Sequence, residues 1–183
     1  MSPAAALVRR ASLPLLAACA LLAAAARADE GNPRIDYRGF AAGVAEVETL
    51  RASRRVGEDA FLELAAQPDT VILDARSRQK YDRLHVRGAR HLSFPDITAD
   101  ELAKVIPTKD TRVLIYCNNN FEHEERAFAR KLSSAALNVH TFNVLHAYGY
   151  TNVHELKPLL DVRTTKIPFA GTATDTQGRY AKR

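Results

Sequence analysis

Two short apolar runs organise the chain. Val71-Ile72-Leu73 and Val113-Leu114-Ile115-Tyr116 are continuous, rich in β-branched residues and bounded by polar or turn-forming residues, which predicts two strands buried on both faces. Gly88-Ala89-Arg90-His91-Leu92 and Asn152-Val153-His154-Glu155-Leu156 read as two further strands. Helical stripes alternate with these runs. Phe61, Leu62 and Ala65 share one face behind Glu58 and Asp59, whose charges suit a helix's first turn, and Gln67-Pro68-Asp69 ends that segment. Ser77 caps an amphipathic helix reaching Leu84, with Tyr81 and Leu84 inward. Ala99 to Val105 forms another behind Ile97-Thr98 and stops at Pro107.

Farther on, Glu122 to Ser134 is composed of strong helix formers, and Phe121, Phe128, Ala129 and Leu132 could share its stripe. A final apolar segment, Val139 to Tyr148, ends at Gly149, a suitable C-terminal stop. Strands alternating with helices imply an α/β fold with a largely parallel sheet covered on both faces, and such sheets bind ligands at the carboxyl ends of their strands. Cys117 stands at one such end, and Asn118, Asn119 and Asn120 follow it.

The chain begins with Arg9-Arg10, an Ala/Leu stretch from Ala11 to Ala26, and the small-x-small triplet Ala26-Arg27-Ala28, which reads as a secretory signal peptide over residues 1–28. The stretch is short of the roughly 20 residues of a membrane-spanning helix. Leu16-Ala17-Ala18-Cys19 also resembles a lipobox, in which Cys19 would carry a lipid anchor, although the apolar run continues past it. A twin-arginine signal around Arg9-Arg10 is the weaker alternative. The expectation is an exported, periplasmic protein. Loss of residues 1–28 removes three arginines and no acid, so the net charge of +5 falls to +2. Without a clustered basic face interleaved with aromatics, nucleic-acid binding has no support.

Residues 29–53 read as an extension lying on the domain, with a short helix from Glu46 to Ala52; residues 54–162 form one domain. The polar tail of 163–183 is expected to lose order beyond Phe169. Removal of Cys19 leaves Cys117 with no internal disulfide partner. In an oxidising compartment a lone thiol is either buried and inert or kept for its reactivity.

The ordered set Leu73-Asp74-Ala75-Arg76-Ser77, Tyr81, His85-Val86-Arg87-Gly88-Ala89, and Val113 to Cys117, closed by Gly149-Tyr150-Thr151-Asn152-Val153-His154-Glu155-Leu156, resembles the rhodanese domain over roughly residues 53–160. The resemblance implies a three-layer fold around a mostly parallel five-stranded sheet. It also implies sulfur transfer, in which Cys117 takes the outer sulfur of thiosulfate or a similar small anionic donor as a persulfide. Cyanide, a thiol or a protein then accepts it. By the same resemblance Asp74 braces the loop base, Arg76 pairs internally, and His85 and Gly88 shape the adjoining turn, so these four support the site structurally. No metal or organic cofactor is implied.

The departures are as specific as the match. The family's loop runs "CxxxxR" and is rich in Gly and Arg, whereas Cys117 is followed by Asn118-Asn119-Asn120-Phe121-Glu122 and then 32 positions separate Cys117 from Gly149. An insertion within about Phe121 to Ala136 would leave the segment ending at Tyr148 as the usual helix behind the cysteine, with the extra helix beside or over the thiol. The opposing alignment makes Arg126-Ala127 the relic of the family's Arg-Ser pair. Asn118, Asn119, Asn120 and the backbone through Phe121 could build an anion cradle without glycine, since asparagine supplies amide donors and tolerates left-handed backbone. The plain alternative is a solvated turn. His123 is a candidate base or cation near Cys117, against the commoner case of an exposed helix histidine.

Adjacent Glu122, His123 and Glu124 lack metal-ligand spacing. Related cysteine phosphatases need "HCx5R", but Tyr116 precedes Cys117 and the nearest downstream arginine is Arg126. Two function classes remain: a sulfurtransferase working through Cys117, and a catalytically inactive rhodanese-like module for binding or redox sensing.

Overall fold

The structure is a computed structural model and describes residues 32–181. The leader, Arg9, Arg10 and Cys19 lie outside the described residues. The chain divides into two compact units between Phe40 and Ala41. Of the first, the described part turns at Asp36, whose carboxylate accepts from Gly39 N at 2.7 Å. The second carries the sheet and the cleft.

In chain order the elements are α1 (Tyr37–Arg54), β1 (Arg55–Val56), α2 (Glu58–Ala65), β2 (Thr70–Asp74), α3 (Arg78–Arg83), β3 (His85–Val86), β4 (Arg90–His91) and α4 (Ala99–Val105). There follow β5 (Arg112–Tyr116), β6 (Phe121–Glu122), α5 (Leu137–Ala147), β7 (Val153–Leu156), β8 (Leu160–Asp161) and β9 (Phe169–Ala170), with 3-10 turns at Phe94–Asp96, Asn118–Asn120 and Ser133–Ala135. Five strands form a parallel sheet in the order β1-β7-β5-β2-β4. The α/β class and five-stranded parallel sheet expected from the sequence are therefore present.

Strand alternation divides the core between the two faces. Val71, Leu73, Val113, Ile115 and Val153 face one apolar cluster with Val47, Phe142 and Leu145, while Ile72, Leu114, Tyr116 and Leu156 join Phe61, Leu84, Phe121, Phe128 and Phe169 in the other. The predicted helix at 46–52 is the distal part of the longer α1, and Val47 buries it against the first cluster. Ser77 stands at the N-cap of α3 as expected, but its side chain makes no capping bond.

The predicted helix from Glu122 to Ser134 does not form. Phe121 and Glu122 pair in parallel with Leu160 and Asp161, and His123 takes a left-handed φ of 68°. One turn survives, closed by Phe128 N donating to Glu124 O at 2.8 Å. Its continuation needs Lys131 N to reach Ala127 O, the i to i−4 bond of a helix. Both partners are already taken: Arg76 Nη1 donates to Ala127 O at 2.9 Å, and Lys131 N donates to Asn119 Oδ1 at 2.8 Å. Phe121 and Phe128 pack together in the core, whereas Leu132, expected on the same stripe, is 78% exposed.

The tail also departs from expectation. β9 pairs antiparallel with β3, Ile167, Phe169 and Ala173 are buried, and Thr174 bridges Tyr180. Apolar residues spaced through a polar segment give it a face to bury, and the backbone of Lys166 is tied to Glu58 Oε1 at 2.7 Å. Gly171, at φ 123°, passes so close to Arg83 that a Cβ would stand 2.5 Å from its carbonyl oxygen.

Candidate functional site

β5 ends at Tyr116, and Cys117 N-caps the 3-10 turn of the three asparagines. Asn120 holds that turn. Its Oδ1 accepts from Cys117 N and Asn138 Nδ2, both at 2.9 Å, and its Nδ2 donates to Leu156 O at 2.7 Å and Pro158 O at 3.1 Å. Asn119 reaches the far side of the excursion, donating through Nδ2 to Lys131 O at 2.9 Å and accepting from Lys131 N. Asn118 is buried and its Nδ2 has no hydrogen-bond partner. Phe121 borders the cleft, but its ring packs on Phe128, Phe169 and Tyr116.

Cys117 Sγ accepts from Asn119 N at 3.4 Å. It also faces the backbone N–H groups of Asn138 and Leu137, in the first turn of α5. That helix begins behind Ala136, which has no capping side chain, so its first N–H groups are free to point at the sulfur. The excursion after Cys117 thus ends by bringing an uncapped helix N-terminus back to the thiol. The alignment with the insertion before Ala136 and the supporting helix ending at the Tyr148-Gly149 stop is the one the fold adopts.

Burial pushes the Cys117 thiol above its ordinary pKa; the N–H groups of Asn119, Asn138 and Leu137 oppose the rise, while the Glu155 carboxylate adds to it. Glu155, buried on β7, is clamped by Arg51 from α1 at 2.5 and 2.7 Å, with Arg55 at 3.7 Å. Neither Glu155 nor the α5 N-terminus stood out in the sequence. A lone acid in an apolar strand was the available signal for Glu155; nothing local marked Leu137 or Asn138.

Cys117 forms part of the floor of a cleft of about 950 Å³ that is also bordered by Asn118, Asn138, Glu155, Arg130, Lys131 and Lys157. As a residue it is only 1% exposed, but the groups facing its sulfur include directed amides rather than hydrocarbon alone.

None of the four supporting residues lines the Cys117 cleft. Arg76 and Asp74 form a buried pair at 2.5 Å, Tyr116 donates to Asp74 Oδ2 at 2.5 Å, and Arg76 also donates to Leu84 O at 2.8 Å and stacks on Phe128 at 4.3 Å. His85 stacks on Tyr81 at 3.7 Å, and Gly88 takes φ 82° in the next turn. His123 lies away from the sulfur's partners, with Nδ1 3.1 Å from Asp161. Glu124 is buried in an ion pair with Arg83, while Glu122 and Glu125 border the cleft.

A model of the rhodanese-like domain matches residues 58–158, more than half of the chain. The chain belongs to the rhodanese-like domain family. Among solved structures it is similar to a rhodanese with anions from E. coli, at 20% identity and TM-score 0.39, covering 56% of this chain and 98% of that one. It is also similar to the rhodanese-like domain of the Alr3790 protein from Anabaena sp., at 19% identity and TM-score 0.45, covering 71% and 92% respectively. A third similarity is to the BH2092 protein from Bacillus halodurans, at 14% identity and TM-score 0.45, covering 70% and 84%. No curated protein sequence matches the chain. No helix among the described residues is long and apolar enough to cross a membrane.

Proposed function

We propose that the protein is a sulfurtransferase in which Cys117 carries sulfane sulfur as a persulfide. The observation that carries this reading is the hydrogen bond from Asn119 N to the Cys117 sulfur in the lining of a cleft, with the first-turn N–H groups of Leu137 and Asn138 also favouring the sulfur's charged form. Such a nest favours a thiolate and, after loading, a charged outer sulfur. Asn118, next in the chain, also lines the cleft, and its buried Nδ2 has no hydrogen-bond partner. The amides take the place of the arginine that a typical loop of the family would carry.

Loading is a displacement at sulfur. The Cys117 thiolate attacks the outer sulfur of thiosulfate, a new S–S bond forms, and sulfite leaves with the electron pair of the broken bond. Cys117 then carries a persulfide anion, and charge is conserved. Transfer repeats the step with an acceptor's thiolate, or cyanide, attacking the outer sulfur and Cys117 leaving as the thiolate. Because burial holds the free thiol protonated, deprotonation precedes attack.

The test is alkylation and mass measurement before and after thiosulfate treatment. Thiosulfate should add the mass of one sulfur, alkylation of the loaded protein should give an adduct heavier by that sulfur, and both effects should vanish in Cys117→Ser. The competing reading, a rhodanese fold kept for binding or redox sensing, is favoured by the burial of the same thiol. It wins if thiosulfate leaves the mass unchanged while slow alkylation still reaches Cys117.

A further inference from the structure

Two basic-apolar segments, residues 130–132 and 157–159, border the mouth of the Cys117 cleft. On one, the two-way hydrogen bond between Asn119 and the backbone of Lys131 holds Arg130-Lys131-Leu132 beside the loop that donates to the sulfur. On the other stand Lys157 and Leu159. Leu132 is 78% and Leu159 60% exposed. Among the described residues, none of Arg130, Lys131 and Lys157 has a carboxylate within 4 Å, whereas Arg51, which also lines the cleft, is committed to Glu155. Glu122 and Glu125 also border the cleft, and the three cations without a carboxylate partner outnumber them.

We propose that this mouth docks an extended acidic segment of a partner protein, and that a cysteine in that segment receives the sulfur from Cys117. The inference rests on the sulfur-carrier reading above. Small donors and cyanide need neither a cleft of about 950 Å³ nor a pair of solvent-exposed leucines. Unpaired cations select acidic side chains, and the leucines offer apolar anchors that a polar low-molecular-weight thiol would leave uncovered. Cys117 is only 1% exposed, so an acceptor held on the cleft gains its affinity from the exposed residues bordering it rather than from the sulfur. In the transfer step the partner's thiolate attacks the outer sulfur of the persulfide anion, whose charge passes with that sulfur to the partner. The Cys117–sulfur bond breaks, Cys117 leaves as the thiolate, and the partner carries the new persulfide as its anion.

Docking and chemistry are read separately. Anisotropy of a labelled short peptide of leucines and glutamates around a central serine measures docking, against the same peptide with lysines for glutamates. The acidic peptide should bind at least about tenfold more tightly, an advantage that shrinks with added salt and is lost in the Arg130→Glu/Lys131→Glu variant. A Leu132→Ser/Leu159→Ser variant should also bind it about tenfold more weakly while cyanide still discharges the persulfide at the normal rate. The cysteine version of the peptide should discharge thiosulfate-loaded protein at least about tenfold faster than free cysteine or a small peptide thiol. Equal binding of the two peptides, indifference to the leucine changes, or equal discharge by small thiols overturns the proposal. Peptide binding without thiosulfate loading overturns the transfer step and the sulfur-carrier reading, whereas loading without peptide binding overturns docking alone.

Discussion

Asn120 returns its side-chain oxygen to the backbone N–H of Cys117, three residues earlier, at 2.9 Å. The same oxygen takes an N–H from Asn138, so one amide joins the end of β5 to the start of α5 and sets the sulfur against the helix's first turn. Asn120→Ala leaves buried partners on Cys117, Asn138 and Leu156 unsatisfied. It should cost about 2–4 kcal/mol in denaturant unfolding, and should accelerate Cys117 alkylation as the turn loosens.

Alkylation of Cys117 should rise with pH and reach its midpoint above the roughly 8.5 of an ordinary thiol. Burial is the main cause, and Glu155 contributes to it. Glu155→Gln removes that carboxylate and leaves Arg51 and Arg55 unneutralised, so the midpoint should fall; a rate profile of iodoacetamide labelling checks both. The raised value also bears on stability. Below the unfolded thiol's pKa both states are protonated and nothing is lost, whereas above it the unfolded chain releases its proton first. Cys117→Ser should therefore flatten a decline in unfolding free energy that the parent shows as pH climbs past that value.

Replacing Arg76 by Met strands the Asp74 carboxylate in a site with no exposed side-chain area, and should destabilise the protein by about 3–5 kcal/mol. The milder Tyr116→Phe removes the donor to Asp74 and the acceptor for Val86 N, for a loss of about 1–3 kcal/mol. Chemical denaturation of both variants checks the order. Thiosulfate loading in Tyr116→Phe should stay within a fewfold of the parent, because neither group faces the sulfur.

Phe169 from the tail packs edge-on against Phe121 and tilted against Phe128. Phe169→Ala should cost about 3–5 kcal/mol, and Gly171→Ala should also destabilise through its positive φ and its contact with Arg83 O. Differential scanning calorimetry of the two variants reads this directly. A tail that only trailed from the domain would leave both transitions in place.

For localisation, expression in a Gram-negative host should place the protein in the periplasm with a new N-terminus at Asp29. Intact-mass measurement distinguishes this from a chain beginning at a lipid-modified Cys19.

The sequence alone determined the buried strands β2 and β5, the helix from Ala99 to Val105, and the placing of Cys117 at a strand's carboxyl end, because unbroken apolar runs and capped stripes are local signals. The family likeness was equally legible, since Asp74, Arg76, Gly88 and the closing Gly149-Tyr150 keep their order along the chain. Only the tertiary structure decided the course of residues 122–134, where Arg76 and Asn119 capture the two groups a helix would have bonded together. It alone brought Leu137 and Asn138 to the sulfur and folded the tail onto Phe121. Helix propensity weighs neighbours within a few residues, whereas these hydrogen bonds and ring contacts join positions up to about fifty residues apart, and a buried partner that must be satisfied outweighs the few tenths of a kcal/mol per residue that propensity supplies.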